Sequence, residues 1–229
     1  GIVCASSGNH AQGVACAAHR LGARAVIVMP TNANPVKLAG VKAFGGQVEL
    51  VGTLGSQREG RAAQLVEQEG MVNVHPYADP YVAAGQGTIG LEIIEDQPAL
   101  DAVAVPIGGG GLISGVAFAI KELNPNVKVY GVQASGAPSM LKSIDDGKIE
   151  KLDSVSTIAD GIAVKEPGDI TFAMCQKYVD GIVTVSDDEI AAAILALIEQ
   201  QKLITEGAGA VSVAAAMFNK VDVKGKKVC

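Results

Sequence analysis

Aromatic residues are scarce in this sequence, making up 3% of its 229 residues, and tryptophan is absent. Basic residues are not in excess either, because the formal net charge is −6, and we therefore expect no nucleic acid partner. No apolar run approaches the length of a membrane-spanning helix, and the first residues lack the basic region of a signal peptide. These absences favour a cytoplasmic protein with no membrane partner.

Cysteine and histidine are too few and too scattered to indicate a metal site. The cysteines form no Cys-x-x-Cys pair and lie among alanine, valine and methionine, so we expect buried thiols rather than metal ligands or disulfides. These residues are Cys4, Cys16, Cys175 and Cys229. The histidines, His10, His19 and His75, also lack the spacing of a metal site.

Glycine and small apolar residues are abundant instead. The chain contains 28 glycines, and 48% of its residues are hydrophobic, a composition that suits closely packed layers of strands and helices. A chain of 229 residues can fill one large domain or two small ones.

Apolar runs alternate with amphipathic segments, which predicts strands that are each followed by a helix. The predicted strands are 2–5, 24–29, 47–51, 101–105, 127–133 and 181–185. The predicted helices are an alanine-rich one ending at Leu21, then 35–44, 56–69, 82–95, 112–123, 138–146, 168–178, 186–200 and 208–220, with capping boxes at 56–59 and 186–189. The alternation predicts a mostly parallel sheet in each half of the chain. Segment 75–80 interrupts it, so we expect two domains, 1–78 and 79–229.

Four consecutive glycines, Gly108 to Gly111, stand where a predicted buried strand passes into a predicted helix. Glycine backbone can adopt left-handed conformations and approach a ligand closely, so that successive N–H groups converge on one anion. The positive end of the following helix adds to this attraction. The pattern therefore favours a phosphate cradle built from main chain, with a flexible linker as the alternative.

The glycine loop matches neither of two common nucleotide-binding motifs. A Walker A loop would end in Gly-Lys-Ser/Thr, whereas Gly111 is followed by Leu112 and Ile113. A dinucleotide-binding Gly-x-Gly-x-x-Gly motif would need a third glycine where this chain has Ile113 or Ser114. We therefore expect a smaller phosphorylated ligand.

A second strand-to-helix segment, Ser6 to Gln12, supplies hydroxyl, amide and imidazole groups at a predicted helix start. Such a position suits a carboxylate. Ligands of open parallel sheets gather beyond the carboxyl ends of the strands, so this segment and the glycine loop are expected to face one cleft.

Several motifs occur in an order that resembles the fold-type II pyridoxal-phosphate-dependent enzymes. They are Ser6 to Gly13, Ala84 to Glu92, Gly108 to Leu112, Ala159 to Gly161 and Thr205 to Ala210. Within that class the chain looks most like the catabolic threonine dehydratases (threonine ammonia-lyases), with the serine racemases as close relatives. The resemblance implies an α/β fold of the tryptophan synthase β type, with two open, mostly parallel sheets covered by helices on both faces. It implies a small substrate-side domain and a large cofactor domain.

The resemblance also implies roles for individual residues. The N–H groups of Gly108, Gly109, Gly110, Gly111 and Leu112 would bind the phosphate of pyridoxal 5′-phosphate. Asn9 would hydrogen-bond the 3′-hydroxyl, and Gly161 and Glu206 would lie near the ring. Ser6, Ser7, Asn9 and His10 would line the substrate carboxylate site, and Ser7 stands where serine racemases place their second acid/base group.

Plainer roles remain open for the same side chains. Ser6 and Ser7 could serve only as helix caps, and His10 could be an ordinary first-turn polar residue. Glu206 could be a partner for a nearby backbone amide.

The implied reaction is β-elimination of threonine or serine, which releases ammonia and leaves 2-oxobutanoate or pyruvate. The partner would be a small amino acid, and we expect a homodimer or homotetramer. A serine racemase, or a catalytically silent module that binds a phosphorylated ligand, are the alternatives. A Ser-x-Lys-x-Arg-Gly segment upstream in the reading frame would favour the enzyme.

The chain departs from the family pattern in two respects. The family's Schiff-base lysine and its pyridine-nitrogen partner belong to segments before Gly1 and after Cys229, so we expect a fragment that has no turnover by itself. Where serine racemases carry acidic metal ligands, this chain has Gln133, Ala137 and Ser139, which favours a dehydratase and predicts no divalent metal site.

Overall fold

The computed structural model describes residues 1–229 and divides into two compact units, Gly1–Pro76 and Tyr77–Cys229. Every strand pair in both units is parallel. The predicted fold class, an α/β protein with two parallel sheets, is therefore confirmed. No helix combines the length and apolar character that crossing a membrane requires.

The first unit contains a four-stranded sheet in the order β3-β2-β1-β4. Its strands are β1 (Ile2–Ala5), β2 (Ala25–Met29), β3 (Gln47–Leu50) and β4 (Val72–Asn73). Its helices are α1 (Asn9–Arg20), α2 (Pro35–Ala43) and α3 (Gly55–Glu69). Neighbouring residues of β1 point to opposite faces, since Cys4 packs in one apolar cluster with α1 and Val3 in another with α3. Helices thus bury both faces of the sheet, as parallel sheets require.

The second unit contains a three-stranded sheet in the order β5-β6-β7. Its strands are β5 (Ala102–Pro106), β6 (Lys128–Ala134) and β7 (Gly181–Val185). Its helices are α4 (Pro80–Asp96), α5 (Gly111–Leu123), α6 (Ser139–Asp146), α7 (Asp169–Tyr178), α8 (Asp187–Ala196) and α9 (Gly207–Met217). Two buried apolar clusters cover the sheet, one including α5 and the other including α8 and α9. Residues 227–229 lie beside β5, with Ala102 and Val228 paired in parallel.

Helices α4 and α5 approach each other at glycine positions. A β-carbon on Gly115 would collide with the carbonyl oxygen of Ala83, and one on Gly90 would lie 2.9 Å from the carbonyl oxygen of Val116. Glycine weakens a helix interior by roughly 0.5–1 kcal/mol relative to alanine. At that cost, Gly87 and Gly90 let the backbone of α4 approach that of α5 closely.

Two capping boxes were predicted, and the structure confirms one of them. Ser186 Oγ accepts from the Glu189 amide at 3.2 Å, while the Ser186 amide donates to Glu189 Oε2 at 2.7 Å. The box predicted to begin at Ser56 is wrong, because α3 already begins at Gly55. The side chain of Gln57 instead accepts from the amides of Thr53 and Leu54.

The cysteines were predicted to be buried, and only two of the four are fully so. Cys4 and Cys175 are buried, and burial raises the pKa of each thiol to about 12. Cys16 is half-buried and Cys229 is exposed, so the prediction of a buried thiol is wrong for Cys229. All four are free thiols.

Candidate cofactor site

The glycine loop joins the carboxyl end of β5 to the first residue of α5. Gly110 is the N-cap of α5 and has φ +96°, in the left-handed region that residues with a β-carbon adopt only under strain. A β-carbon there would also lie 2.7 Å from Met140 Cε and 2.8 Å from Thr171 Cβ. Backbone conformation and space therefore both require glycine at this position.

The neighbouring glycines are packed as closely. A β-carbon on Gly109 would overlap the ring of Tyr77, and one on Gly108 would lie 3.1 Å from Ile162 Cα. Gly109 to Gly111 are buried, and Ile107 before them is fully buried. A segment held on several sides is not a flexible linker, so the alternative interpretation of the four glycines is wrong.

The backbone amides of this loop make no hydrogen bond to a backbone carbonyl. The amides of Gly108, Gly109 and Gly110 donate to no backbone carbonyl, and those of Gly111 and Leu112 lie in the first turn of α5, which has no intrahelical acceptor for them. Buried backbone N–H groups are nearly always paired in native proteins. Together with the positive end of α5, these amides suit a compact anion, and the residues present therefore fit a phosphate group.

Two further residues predicted to contact the cofactor, Gly161 and Glu206, lie near the glycine loop in space. Gly108 packs against the turn Asp160–Ile162, which contains Gly161. A β-carbon on Gly161 would in turn lie 3.4 Å from Glu206 Oε1. Gly108, Gly161 and Glu206 thus form a continuous series of neighbours.

Glu206 occupies the N-cap position of α9, yet its side chain does not cap that helix. It is exposed. The plainer role of a partner for a nearby backbone amide is therefore not that of a cap on α9.

In the first unit, the segment after β1 groups the remaining predicted residues. Ser6 Oγ accepts from the Gly8 amide at 3.3 Å. Gly8 is the N-cap of α1, so neither Ser6 nor Ser7 occupies the N-cap position itself. Ser7 and Asn9 are exposed at the start of α1.

His10 has a structural contact of its own. Its Nε2 lies 2.9 Å from the carbonyl oxygen of Val74, so a proton on Nε2 is donated there. This bond ties the first turn of α1 to the segment that follows β4.

The three positions compared with a metal site, Gln133, Ala137 and Ser139, carry no charged side chain. The Gln133 side chain is fully buried, with Nε2 at 3.4 Å from the carbonyl oxygen of Ile107 and 3.3 Å from that of Ala137. Its Oε1 accepts from the Leu141 amide at 2.9 Å. Ser139 is also fully buried, and its Oγ has no hydrogen-bond partner.

Sequence reasoning missed the residues that support the glycine loop from behind. Tyr77 packs on Gly109, while Ser114 and Thr171 bond to loop carbonyls. In a single sequence they are ordinary residues of a connection and two helices. Only the tertiary structure brings them to the loop.

A parallel α/β fold with a glycine loop of free amides between a strand end and a helix start is typical of proteins that bind small phosphorylated ligands. Residues 1–229 match the family described as pyridoxal-phosphate dependent enzyme, and the chain belongs to that family.

Similar proteins agree with this assignment. The chain is 55% identical over 228 residues to the L-threonine ammonia-lyase of Thermotoga maritima, covering 100% of this chain and 57% of that protein. It is 45% identical over 222 residues to the catabolic L-threonine dehydratase TdcB of Escherichia coli, covering 97% of this chain and 68% of that protein. The structure of maize serine racemase superposes with a TM-score of 0.95 at 38% identity, covering 100% of this chain and 70% of that one. The chain thus spans little more than half the length of the Thermotoga relative.

Proposed function

We propose that the complete protein is a threonine ammonia-lyase that uses pyridoxal 5′-phosphate to deaminate L-threonine and L-serine by β-elimination. The observation that carries the proposal is the set of unpaired amides in the glycine loop of a chain that belongs to the pyridoxal-phosphate family. The names of the relatives at 45–55% identity support the substrate.

The phosphate of the cofactor would be held by the amides of Gly108 to Leu112. Because the chain has a formal net charge of −6, bulk charge repels an anion, and the local attraction must come from main-chain dipoles and the start of α5. Asn9 would donate to the 3′-hydroxyl, and Gly161 and Glu206 would lie beside the ring. When bound, the cofactor withdraws electrons from the substrate and so acidifies its α-proton.

The substrate carboxylate would be bound by Ser6, Ser7, Asn9 and His10. Hydroxyl donors at the first turn of a helix suit a carboxylate, since the helix dipole adds to their hydrogen bonds. Ser7, which is exposed, would be close enough to the reacting centre to exchange a proton, whereas the bond from His10 to Val74 would fix the turn itself.

The first experiment assays the protein expressed from its complete reading frame. After incubation with pyridoxal 5′-phosphate, it should show new visible absorption and convert L-threonine to 2-oxobutanoate and L-serine to pyruvate. Protein prepared without the cofactor is the control and should regain activity when the cofactor is added.

Other outcomes of this assay separate the alternatives. Cofactor binding without any 2-oxo acid would identify a silent binding module. Formation of D-serine faster than pyruvate would identify a serine racemase. The absence of both absorption and turnover would contradict the proposal.

We also propose a cytoplasmic homodimer or homotetramer. Exposed apolar side chains support an assembly, since Leu21 is 83% and Ile204 is 90% exposed. Sedimentation of the complete protein measures the oligomeric state, and a monomer would contradict this part of the proposal.

A further inference from the structure

Fully buried polar side chains are few in this chain, and most of them serve the glycine loop. The buried polar residues are Ser114, Gln133, Ser139, Ser143 and Thr171. Burying a polar group without a hydrogen bond costs free energy, so the partners of the groups that are bonded are informative. Three of the five, Ser114, Gln133 and Thr171, contact a carbonyl oxygen of the loop or of the residue before it.

Thr171 makes the shortest of these contacts. Its Oγ1 lies 2.6 Å from the carbonyl oxygen of Gly109, 62 positions away along the chain, and 3.0 Å from that of Gly168. The Gly168 amide also approaches the Gly109 carbonyl, at 3.4 Å. The start of α7 therefore holds the Gly109 carbonyl from the interior of the unit.

Ser114 and Gln133 donate hydrogen bonds to neighbouring carbonyl oxygens of the same segment. Ser114 Oγ donates to the Gly110 carbonyl at 2.7 Å, alongside the Ser114 amide at 3.0 Å. Gln133 Nε2 donates to the Ile107 carbonyl at the longer distance of 3.4 Å, while Oε1 accepts from Leu141 and so fixes the side-chain amide.

A hydrogen bond that fixes the direction of a carbonyl group also fixes the direction of the N–H group of the next residue. The C=O and N–H of a trans peptide point in opposite directions within one rigid plane, and the chain has no cis peptide bond. Holding the carbonyls of Ile107, Gly109 and Gly110 toward the interior therefore turns the N–H groups of Gly108, Gly110 and Gly111 the other way. These are amides that no backbone carbonyl accepts.

We propose that Thr171, Ser114 and Gln133 are positioning residues that aim the loop amides at the cofactor phosphate. The inference rests on the proposed function and adds to it the residues that set the affinity for the phosphate group. We expect the largest effect from Thr171, since it alone bonds to the loop from a distant helix at short range. Ser114 has a smaller part because its own amide continues to hold Gly110 when the hydroxyl is removed.

The test compares binding of pyridoxal 5′-phosphate with binding of pyridoxal, which lacks the phosphate, to the cofactor-free complete protein. Thr171→Val keeps the side-chain shape and removes the hydroxyl. We expect it to weaken binding of pyridoxal 5′-phosphate about fivefold to tenfold. Binding of pyridoxal should be unchanged, because no phosphate reaches the loop. Thr171→Ser keeps the donor and should restore the preference for the phosphorylated form.

Ser143→Ala is the matched control. Ser143 is also a fully buried hydroxyl, donating to the Ser139 carbonyl at 2.7 Å and accepting from the Glu150 amide at 2.9 Å, with no contact to the glycine loop. Its removal should lower stability and leave the ratio of the two affinities unchanged.

The outcomes separate this inference from the proposed function. A wild-type protein that binds both compounds equally would overturn the phosphate cradle itself. In a further outcome, the wild type prefers the phosphorylated compound while Thr171→Val keeps the same ratio of the two affinities. An unchanged ratio, whether both affinities are unaltered or both fall equally, would overturn only the positioning role. If thermal denaturation shows that Thr171→Val does not fold, Ser114→Ala provides the same comparison, with an expected loss of about threefold.

Discussion

The two strand-to-helix segments at the carboxyl ends of β1 and β5, which we propose bind the substrate carboxylate and the cofactor phosphate, present their polar groups in opposite ways. In the glycine loop the polar atoms available for binding are main-chain amides, and buried side chains hold the backbone from behind. In the segment from Ser6 to His10, Ser7 and Asn9 are exposed and the backbone adopts an ordinary helix start. One segment thus depends on packing and the other on the identity of exposed side chains. Mutations in the glycine loop should therefore lower mainly the free energy of unfolding, whereas mutations in the segment from Ser6 to His10 should lower mainly catalytic activity.

The largest effect is expected from one added methyl group in each segment. Gly110→Ala places a β-carbon at φ +96° and against Met140 and Thr171, so we expect a loss of about 3 kcal/mol in the free energy of unfolding. Gly8→Ala is the matched change, since a β-carbon there meets nothing within 4 Å. It should cost at most about 1 kcal/mol as a weaker N-cap. Urea denaturation of both variants measures the difference, and equal losses would contradict the comparison.

Acid should weaken the ionic contacts that Asp180 makes with Lys121 and Lys128 in the second unit. Burial raises the pKa of Asp180, but hydrogen bonds from Lys121, Lys128 and the Val129 amide outweigh it and hold the pKa below its usual value. A carboxyl with a lowered pKa contributes stability above its unfolded pKa of about 3.9. That contribution disappears as the pH falls through the folded pKa.

We therefore expect Asp180→Asn to lower the free energy of unfolding by about 2 kcal/mol at pH 7. The difference from the wild type should shrink as the pH falls below the unfolded pKa. Urea midpoints measured from neutral to acidic pH test this. In the first unit, Glu69→Gln breaks the exposed Arg24 pair, whose side chains are 50% and 38% exposed, and should change little. A difference for Asp180→Asn that is constant with pH would contradict the ionic explanation.

Ser7→Ala tests the chemical dependence of the first segment. Because Ser7 is exposed, the free energy of unfolding should change by less than about 0.5 kcal/mol. Turnover of L-threonine, as kcat/KM, should fall about tenfold or more if the hydroxyl contacts the substrate. Ser7→Thr, which keeps a hydroxyl, is the control. A loss of stability with unchanged kcat/KM would reverse the roles assigned to the two segments.

A smaller effect is expected at His10, whose side chain lies 2.9 Å from the distant carbonyl oxygen of Val74. His10→Ala removes the bond to the Val74 carbonyl, so we expect a loss of about 1 kcal/mol in the free energy of unfolding. Ser6→Ala, which removes only the local contact with the Gly8 amide, should cost less. Chemical denaturation ranks the two variants, and a larger loss for Ser6→Ala would contradict this order.

Much of the fold follows from local patterns in the sequence. The bounds of β1 and β7 agree residue for residue with their apolar runs, and the capping box at Ser186 is confirmed. β4 was missed because both of its residues are exposed and two residues carry no periodicity. The box at Ser56 failed because Gln57 reaches the amides of an earlier turn.

In the candidate site, too, the features set by local sequence were predictable and those set by tertiary contacts were not. Four adjacent glycines between a strand and a helix predict a main-chain cradle because no other residue is as free at φ > 0°. The contact of Thr171 with Gly109 spans 62 positions, and no local pattern in a single sequence reports a contact of that range. The loop was therefore predictable, whereas the groups that orient it were not.

The direct backbone contact between α4 and α5 has a consequence for how the proposed phosphate site would behave before it is filled. With Gly90 and Gly115 leaving no side chain between the two helices, α5 cannot tilt by compressing a soft layer, and its first turn is fixed in advance. An incoming anion meets a receptor already shaped for it, so little binding energy is lost to ordering the loop. Enlarging either glycine would turn this rigid receptor into one that must rearrange before it can bind.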